Sequence, residues 1–243
     1  MDMARSRYEG TRMFHIVTRT WNPITGCKHY CKYCWARMLV ETRLRKVTRK
    51  YAEGFVPKLH EKELDVCFKP GELVFVADMG DMFGDWVPEK WIYRVLEVVE
   101  RFPQTTFLFL TKNPRRYYAL KSTLCLHRNA IFGATIETDL DELYIGYGIS
   151  RAPLPSERIA YMKALRCLRK MVSIEPIIDF SSPRSFAEKI AEIEPEFVYI
   201  GYDNYDNRLP EPTLDKTLEL IDNLRQHGIT VYEKTIRKAW YEQ

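Results

Sequence analysis

Short apolar runs alternate with amphipathic stretches along the 243 residues of this chain. Runs such as residues 73–77 and 107–110 are continuously apolar, which is typical of parallel strands buried on both faces. Between such runs, apolar residues recur at helical spacing, as at Ala36, Val40 and Leu44. The pattern predicts an α/β fold, specifically a full or partial parallel (β/α) barrel of about six or seven strands, with a doubly wound sheet as the alternative.

The periodicity also predicts where each element lies and how the chain is divided. Ser182 and Pro183 have the side chains expected at the N-cap and first position of a helix. We expect a single domain over residues 1–243, with residues 1–13 a flexible basic N-terminus and residues 51–70 irregular. The predicted strands are 14–19, 73–77, 107–110, 130–136, 171–174, 197–200 and 229–232, and the predicted helices are 35–50, 88–101, one beginning at Pro114, 156–169, 183–193 and 213–226.

Three cysteines with the spacing C-x3-C-x2-C, Cys27, Cys31 and Cys34, follow the first predicted strand within one loop. Three thiolates on so short a segment predict a metal ion or cluster with one coordination position left open. Structural zinc usually takes four protein ligands, for which His29 and His60 are the candidates to complete the set. An iron–sulfur cluster held by three cysteines would keep one iron open.

The other three cysteines, Cys67, Cys125 and Cys167, are scattered singly along the chain. The N-terminus lacks the apolar core of a signal peptide, so we expect a cytoplasmic protein in which disulfides are not formed. These cysteines then fit buried, small hydrophobic residues, and an additional cluster or a redox pair is the alternative. No apolar run approaches the roughly 18 residues of a membrane span, and no membrane association is expected.

Charged side chains follow most of the predicted strands. Asp78 and Asp81 follow the second strand, Lys112 the third, Glu137 the fourth and Glu175 the fifth. Because ligands bind at the carboxyl ends of parallel strands, we expect these side chains to face one pocket. Solvent exposure of unrelated loops is the simpler alternative.

The charge of the chain is uneven, with +9 over residues 1–50 and −5 over residues 51–243. Arg45, Lys46, Arg49 and Lys50 share the helix that follows the cysteine loop. Such asymmetry is compatible with a phosphate-rich partner, so nucleic acid is a possible substrate, although a solvated helix face explains it equally well. The alternative to an enzyme is therefore a zinc-bearing α/β nucleic-acid-binding protein without catalytic activity.

The cysteine spacing, with Tyr33 directly before Cys34 and the loop following a first strand, resembles the signature of the radical S-adenosylmethionine (SAM) superfamily. Four further blocks resemble an uncharacterised phage- and prokaryote-associated branch of it, and they lie at residues 20–27, 75–83, 110–114 and 173–176. The resemblance extends over most of the chain, and it implies the full or partial (β/α) barrel that the apolar runs predict independently.

The resemblance implies an enzyme with one [4Fe–4S] cluster, ligated by Cys27, Cys31 and Cys34, and with SAM on the fourth iron. Reductive cleavage of SAM would give a 5′-deoxyadenosyl radical that abstracts hydrogen from an unidentified substrate. An external electron donor of the flavodoxin or ferredoxin kind is implied as a partner. No catalytic residue beyond the cofactor ligands is identified in this way.

The same resemblance implies a set of cofactor-binding residues. Many members of the superfamily carry Gly-Gly-Glu after the second strand to hold the SAM ammonium, whereas this chain has Ala-Asp-Met-Gly-Asp at residues 77–81. The ammonium is therefore assigned to Asp78 or Asp81, the ribose hydroxyls to Thr135 and Glu137, and the ribose or carboxylate to Ser173 and Glu175. The full set is Tyr33, Asp78, Gly80, Asp81, Lys112, Thr135, Glu137, Ser173 and Glu175.

Overall fold

The apolar runs form one parallel sheet in a computed structural model that describes residues 13–242. Seven strands lie side by side in chain order, β1-β4-β5-β6-β7-β8-β9, and every neighbouring pair is parallel. The sheet curls into a half-barrel, which confirms the predicted fold class. The strands are β1 (Arg19–Trp21), β2 (Ile24–Thr25), β3 (Lys58–Leu59), β4 (Leu73–Val76), β5 (Thr106–Thr111), β6 (Ala130–Thr135), β7 (Arg169–Ile174), β8 (Phe197–Ile200) and β9 (Thr230–Glu233).

Helices connect successive strands, as parallel pairing requires. The Ser182 hydroxyl accepts a hydrogen bond from Ser185 N at the start of its helix, and Pro183 follows it, as the sequence predicts. Thr213 caps the last long helix in the same way. The helices are α1 (Trp35–Leu39), α2 (Arg45–Val47), α3 (Glu89–Glu100), α4 (Pro114–Ala119), α5 (Lys121–Leu124), α6 (Asp141–Gly146), α7 (Pro155–Ala164), α8 (Pro183–Ala191) and α9 (Leu214–Gln226).

Alternate side chains of each strand enter different apolar clusters, because successive residues of a strand point to opposite faces. In β5, Phe107 and Phe109 belong to the main core between sheet and helices. Leu108, which lies between them in the sequence, joins a smaller cluster with Phe14 and Phe75. Burial on both faces explains why these strands are continuous apolar runs.

The predicted first strand at residues 14–19 is wrong. Phe14 and Val17 are buried in the smaller apolar cluster, and the strand that pairs with β4 begins only at Arg19. The predicted helix 35–50 is also interrupted, by a π-helical turn at Val40–Leu44 and by Thr48, whose extended backbone (φ −142°, ψ 136°) ends α2. Residues 51–70, predicted to be irregular, include β3, which pairs antiparallel with β2.

The predictions for the scattered cysteines need correction. Cys125 and Cys167 form a disulfide, with a Cα–Cα distance of 5.6 Å, and Cys67 is exposed rather than buried. The sequence could not show this, because the end of α5 and the segment before β7 meet only through tertiary packing. Within residues 13–242, none of the helices is long and apolar enough to cross a membrane. The predicted basic N-terminus lies outside the described residues except for Met13.

Candidate active site

A cavity of about 770 Å³ lies at the carboxyl ends of the parallel strands. Its walls come from segments that follow β1, β4, β5, β7, β8 and β9, so residues far apart in the chain converge there. Of the residues predicted to bind a metal or cofactor, those that line this cavity are Cys27, Cys31, Tyr33, Cys34, Asp78, Gly80, Asp81, Lys112, Thr135 and Glu175.

The three cysteines of the loop between β2 and α1 contribute to the cavity wall, and each sulfur has a hydrogen-bond partner. Backbone N–H groups donate to two of the sulfurs, and such donors favour a negatively charged sulfur. The contacts are His29 N to Cys27 Sγ at 3.4 Å, Arg37 N to Cys34 Sγ at 3.4 Å, and Ser150 Oγ with Cys31 Sγ at 3.1 Å.

Burial raises the pKa of the Cys27 thiol well above its usual value, and the nearby Asp81 carboxylate raises it further. Burial likewise raises the pKa of Cys31, although the Lys112 ammonium acts in the opposite direction. Thiolate ligands must lose their protons on binding a metal, so the charge of a bound metal group would stabilise the ligating form at these positions.

No group of three or more His, Cys, Asp or Glu side chains within residues 13–242 is arranged to hold a single metal ion. The two histidines considered as a fourth zinc ligand have other partners. His29 Nε2 lies 3.0 Å from Asp81 Oδ2, and His60 Nε2 lies 2.8 Å from Thr25 Oγ1. Three thiols on one cavity wall fit the donor set of an iron–sulfur cluster, in which each cysteine binds a different iron.

Asp81 joins the cysteine loop to the ends of two strands. One carboxylate oxygen accepts hydrogen bonds from Phe83 N at 2.9 Å and Thr111 Oγ1 at 2.7 Å, and the other contacts Lys112 N and His29 Nε2 at 3.0 Å each. Burial acts to raise the pKa of Asp81, but these hydrogen bonds outweigh it and hold the pKa below its usual range. Asp81 therefore positions His29 and the loop around it.

Asp78 is the other acid that the sequence assigns to the SAM ammonium. It lines the cavity, and the Asn22 side-chain amide donates to one of its oxygens. Burial raises the pKa of Asp78, although the hydrogen bond from Asn22 acts in the opposite direction. With Asp81 engaged by four donors, Asp78 is the better placed of the two to meet a ligand.

Gly26 and Gly80 let the cysteine loop approach the end of β4 very closely. Gly26 N donates to Met79 O at 2.9 Å, and Asp81 N donates to Gly26 O at 3.3 Å. A Cβ atom on Gly80 would lie 2.9 Å from Gly26 N, and one on Gly26 would lie 2.2 Å from the carbonyl of Val56. A glycine at each position is therefore a steric requirement of the loop's placement.

Replacing Gly26 with alanine is expected to destabilise the chain by about 1–3 kcal/mol more than replacing Gly71 with alanine. Both glycines have φ +80°, so both variants carry the same left-handed backbone strain, but a Cβ on Gly71 meets no atom within 4 Å. The difference therefore isolates the clash with Val56. Urea unfolding followed by circular dichroism measures both losses, and equal losses would contradict this reading.

Glu137, which the resemblance assigns to a ribose hydroxyl, is not among the residues that line the cavity. Glu137 is fully buried behind the cavity wall, where Arg158 Nη1 lies 2.6 Å from one carboxylate oxygen and Lys112 Nζ lies 3.3 Å from the other. The Tyr33 hydroxyl also donates to it, and Arg158 in turn donates to the Tyr144 hydroxyl. Burial acts to raise the pKa of Glu137, but Arg158 and Lys112 lower it to about 2. Glu137 thus supports the wall under Tyr33, and its assignment to a ribose hydroxyl stays a prediction.

The remaining predicted residues divide between the surface of the cavity and the layer behind it. Thr135 and Glu175 line the cavity, whereas Ser173 is fully buried and its hydroxyl donates to Glu175 at 3.3 Å. Lys234 Nζ lies 2.8 Å from Glu175. Burial raises the pKa of Glu175, although Lys234 acts in the opposite direction.

Sequence reasoning missed two residues that support the site. Arg158 is fully buried, yet it occupies a helix position that reads as an ordinary exposed cation. Ser150 contacts Cys31 from a loop 119 positions away in the chain. The sequence around Arg158 and Ser150 does not indicate a role in the site, because the role of each residue depends on contacts made only in the folded chain.

Solved structures with a similar fold include a variant of spore photoproduct lyase with bound AdoMet and dinucleoside spore photoproduct. It matches 88% of this chain and 76% of its own, with a TM-score of 0.57 and 13% identity. Streptococcus suis SuiB bound to precursor peptide SuiA matches 89% of this chain but 48% of its own, with a TM-score of 0.52 and 10% identity. SuiB bound to S-adenosylmethionine matches 89% and 46%, with a TM-score of 0.51 and 10% identity.

At these identities the similarity shows the fold, an α/β partial barrel like those of radical SAM enzymes. A search of curated proteins gave no match. The model of one protein family matches residues 13–182, which is more than half of the chain. This chain therefore belongs to that family, described as protein of unknown function DUF5131.

Proposed function

We propose that this protein is a radical SAM enzyme that uses one [4Fe–4S] cluster. The observation that carries the proposal is the placement of Cys27, Cys31 and Cys34 on the wall of one cavity at the carboxyl ends of a parallel half-barrel. The volume of about 770 Å³ lies within the range of cavities that bind cofactors and small ligands. The cysteines would hold the cluster through one thiolate each.

The chemistry that such a cluster supplies is one-electron reduction of SAM, which gives methionine and a 5′-deoxyadenosyl radical able to abstract hydrogen. The residues of the chain bind and orient the reactants. Asp78 accepts from the SAM ammonium, Lys112 and Glu175 meet its other polar groups, and the Tyr33 ring and Thr135 form the adjoining surface. Asp81 and Glu137 hold that surface in place through the contacts described above.

The similar structures support this assignment in part. Spore photoproduct lyase holds AdoMet and SuiB holds S-adenosylmethionine. Their other ligands differ, because one is a dinucleoside photoproduct and the other a precursor peptide. These structures therefore support SAM as the cofactor and leave the substrate to be inferred from this chain. The proposal also includes an external flavodoxin- or ferredoxin-like electron donor.

The proposed function is tested by reconstituting the full chain anaerobically with iron and sulfide, reducing it with dithionite and adding SAM. We expect a brown protein with about four irons per chain and formation of 5′-deoxyadenosine, measured by chromatography. A colourless protein containing one zinc per chain would reject the enzyme and favour the zinc-bearing binding protein. A cluster-loaded protein that neither binds nor cleaves SAM would also reject it.

A further inference from the structure

An exposed aromatic ring lies between two arginines at the tip of the cysteine loop. Tyr30 is 50% exposed, and its ring centroid lies 4.3 Å from the guanidinium carbon of Arg37 and 4.7 Å from that of Arg151. Its backbone has φ +53°, a conformation unusual for a residue with a side chain. The neighbours of Tyr30 in the sequence, His29 and Cys31, both line the cavity. This loop cluster therefore borders the cavity mouth.

A second group of exposed aromatic side chains comes from the segments that follow β8 and β9, and one of its members, Tyr205, borders the same cavity. Tyr205 lines the cavity and is 52% exposed. The guanidinium of Arg208 lies 4.9 Å from the ring centroid of Trp240, which is 44% exposed, and Tyr241 contacts Trp240 edge-on at 5.4 Å. We call this group the β8 cluster. It combines flat apolar surface with the guanidinium of Arg208, which differs from those of the loop cluster in lying 3.0 Å from an Asp206 carboxylate oxygen.

The positive charge near the loop cluster comes from its two arginines and from Lys28 and Lys32 of the cysteine loop. Within residues 13–242, Lys28, Lys32, Arg37 and Arg151 form no ion pair with an Asp or Glu. Lys32 Nζ donates instead to the carbonyl of Tyr147, whose ring is 49% exposed. Positive charge therefore remains available beside the cavity.

The helix face formed by Arg45, Lys46, Arg49 and Lys50 is partly paired with acids, and none of these four residues lines the cavity. Arg45 pairs with Glu41 at 2.9 Å, and Lys50 forms an ion pair with Glu63. Neither Arg45 nor Lys50 lines the cavity. The cationic surface next to the site thus comes from Lys28 and Lys32 of the cysteine loop, from Arg37 of α1 and from Arg151, rather than from the basic residues at positions 45–50.

We propose that the two clusters bind single-stranded nucleic acid across the mouth of the cavity. Bases stack on exposed aromatic faces and on guanidinium planes, and phosphates pair with unneutralised Lys and Arg. Of the seven aromatic side chains most exposed in residues 13–242, five belong to these clusters or to the adjoining Tyr147. An acidic protein partner would use the charges but would leave no function for five exposed rings. The proposal rests on the proposed function, because it identifies the substrate of the same site.

The test measures the affinity of the full, cluster-reconstituted chain for labelled oligonucleotides of twelve dT or twelve rU nucleotides by fluorescence anisotropy. We expect binding that weakens as salt rises, because phosphate contacts release counterions. An abasic oligonucleotide of equal length should bind at least about tenfold more weakly, since base stacking is lost. Trp240→Leu and Arg151→Gln should each reduce affinity about tenfold.

Tyr118→Leu is the matched control, because Tyr118 is 39% exposed and Lys121 lies 4.2 Å from its ring centroid, but neither residue lines the cavity. This variant should bind oligonucleotides like the wild type. Equal losses in Tyr118→Leu and Trp240→Leu would overturn the proposal, as would equal affinity for the abasic strand or absence of binding at low salt. Thermal melts of each variant separate a loss of affinity from a loss of folding.

Two further outcomes separate this proposal from the proposed function and from a protein partner. Dithionite-driven cleavage of SAM without oligonucleotide should be unaffected in Trp240→Leu, so weakened strand binding with retained cleavage is the expected result for this variant. Cleavage of SAM by a wild-type chain that binds no oligonucleotide would reject only the nucleic-acid substrate. If Arg151→Gln slows electron delivery from reduced flavodoxin while oligonucleotide affinity stays at the wild-type value, the loop cluster binds a protein and the proposal is wrong.

Discussion

Replacement of any one of Cys27, Cys31 and Cys34 with alanine is expected to abolish the formation of 5′-deoxyadenosine. With two thiolates left, the chain loses one of the three protein ligands proposed for the cluster, and the hydrogen bonds around the loop would not replace a missing iron ligand. We expect each variant to show less than about a hundredth of the wild-type activity, in line with the large effects of removing essential catalytic groups. Iron content, the visible absorption of the cluster and chromatography of 5′-deoxyadenosine measure the effect.

Cys67→Ala is the matched control for these variants. Cys67 is a free cysteine like the other three, but it is exposed and does not line the cavity. Its replacement should leave iron content and 5′-deoxyadenosine formation at the wild-type values. Full activity of Cys31→Ala, or equal losses in Cys31→Ala and Cys67→Ala, would show that the cysteine loop does not hold the reactive cofactor.

The second large effect is expected from Glu137→Gln, which should lower the free energy of unfolding by about 3–5 kcal/mol at neutral pH. The substitution leaves the guanidinium of Arg158 fully buried without its carboxylate. A buried charge without its partner is strongly destabilising. Chemical unfolding of the full chain measures the loss. Glu188→Gln, which removes an exposed partner of Arg184, should cost less than about 1 kcal/mol.

Acid should remove the stabilisation that Glu137 provides. Because its pKa falls from 4.5 to about 2 on folding, its contribution of about 3 kcal/mol is present above pH 4.5. It is lost as the pH falls from about 4.5 towards 2, because the unfolded chain then binds a proton that the folded chain does not. The difference in unfolding free energy between wild type and Glu137→Gln should therefore narrow over this range. A constant difference would contradict the ion-pair assignment.

The strands of the half-barrel were predictable because a strand that is buried on both faces is a continuous apolar run in the sequence. A run such as β5, with Phe107, Leu108 and Phe109 in succession, is apolar on both faces because each face meets a different cluster. The same reasoning from apolar runs placed the first strand too early in the chain, because Phe14 and Val17 are apolar residues that lie before the strand. They belong to the smaller apolar cluster, and β1 begins only at Arg19.

The candidate site was predictable only in its outline. The C-x3-C-x2-C spacing and the charged residues after each strand are local features, and they identified the side of the barrel on which the cavity lies. The sequence does not show that Asp81 is engaged in hydrogen bonds while Asp78 faces the cavity. This difference arises because His29 and Thr111 contact the carboxylate of Asp81 and not that of Asp78. The buried position of Glu137 likewise depends on its ion pair with Arg158. The position of Arg158 in its helix gives no indication in the sequence that this side chain is buried.

The contacts that hold the cysteine loop also set the order in which the protein can mature. The three cysteines lie within eight residues, yet His29 depends on Asp81, 52 positions later, and Cys31 contacts Ser150, 119 positions later. On a ribosome, the loop therefore leaves the exit tunnel long before the groups that shape it exist. Loading of a cofactor onto this loop would be completed only after translation has passed Ser150. A peptide containing the cysteine motif alone would lack the contacts that arrange its sulfurs.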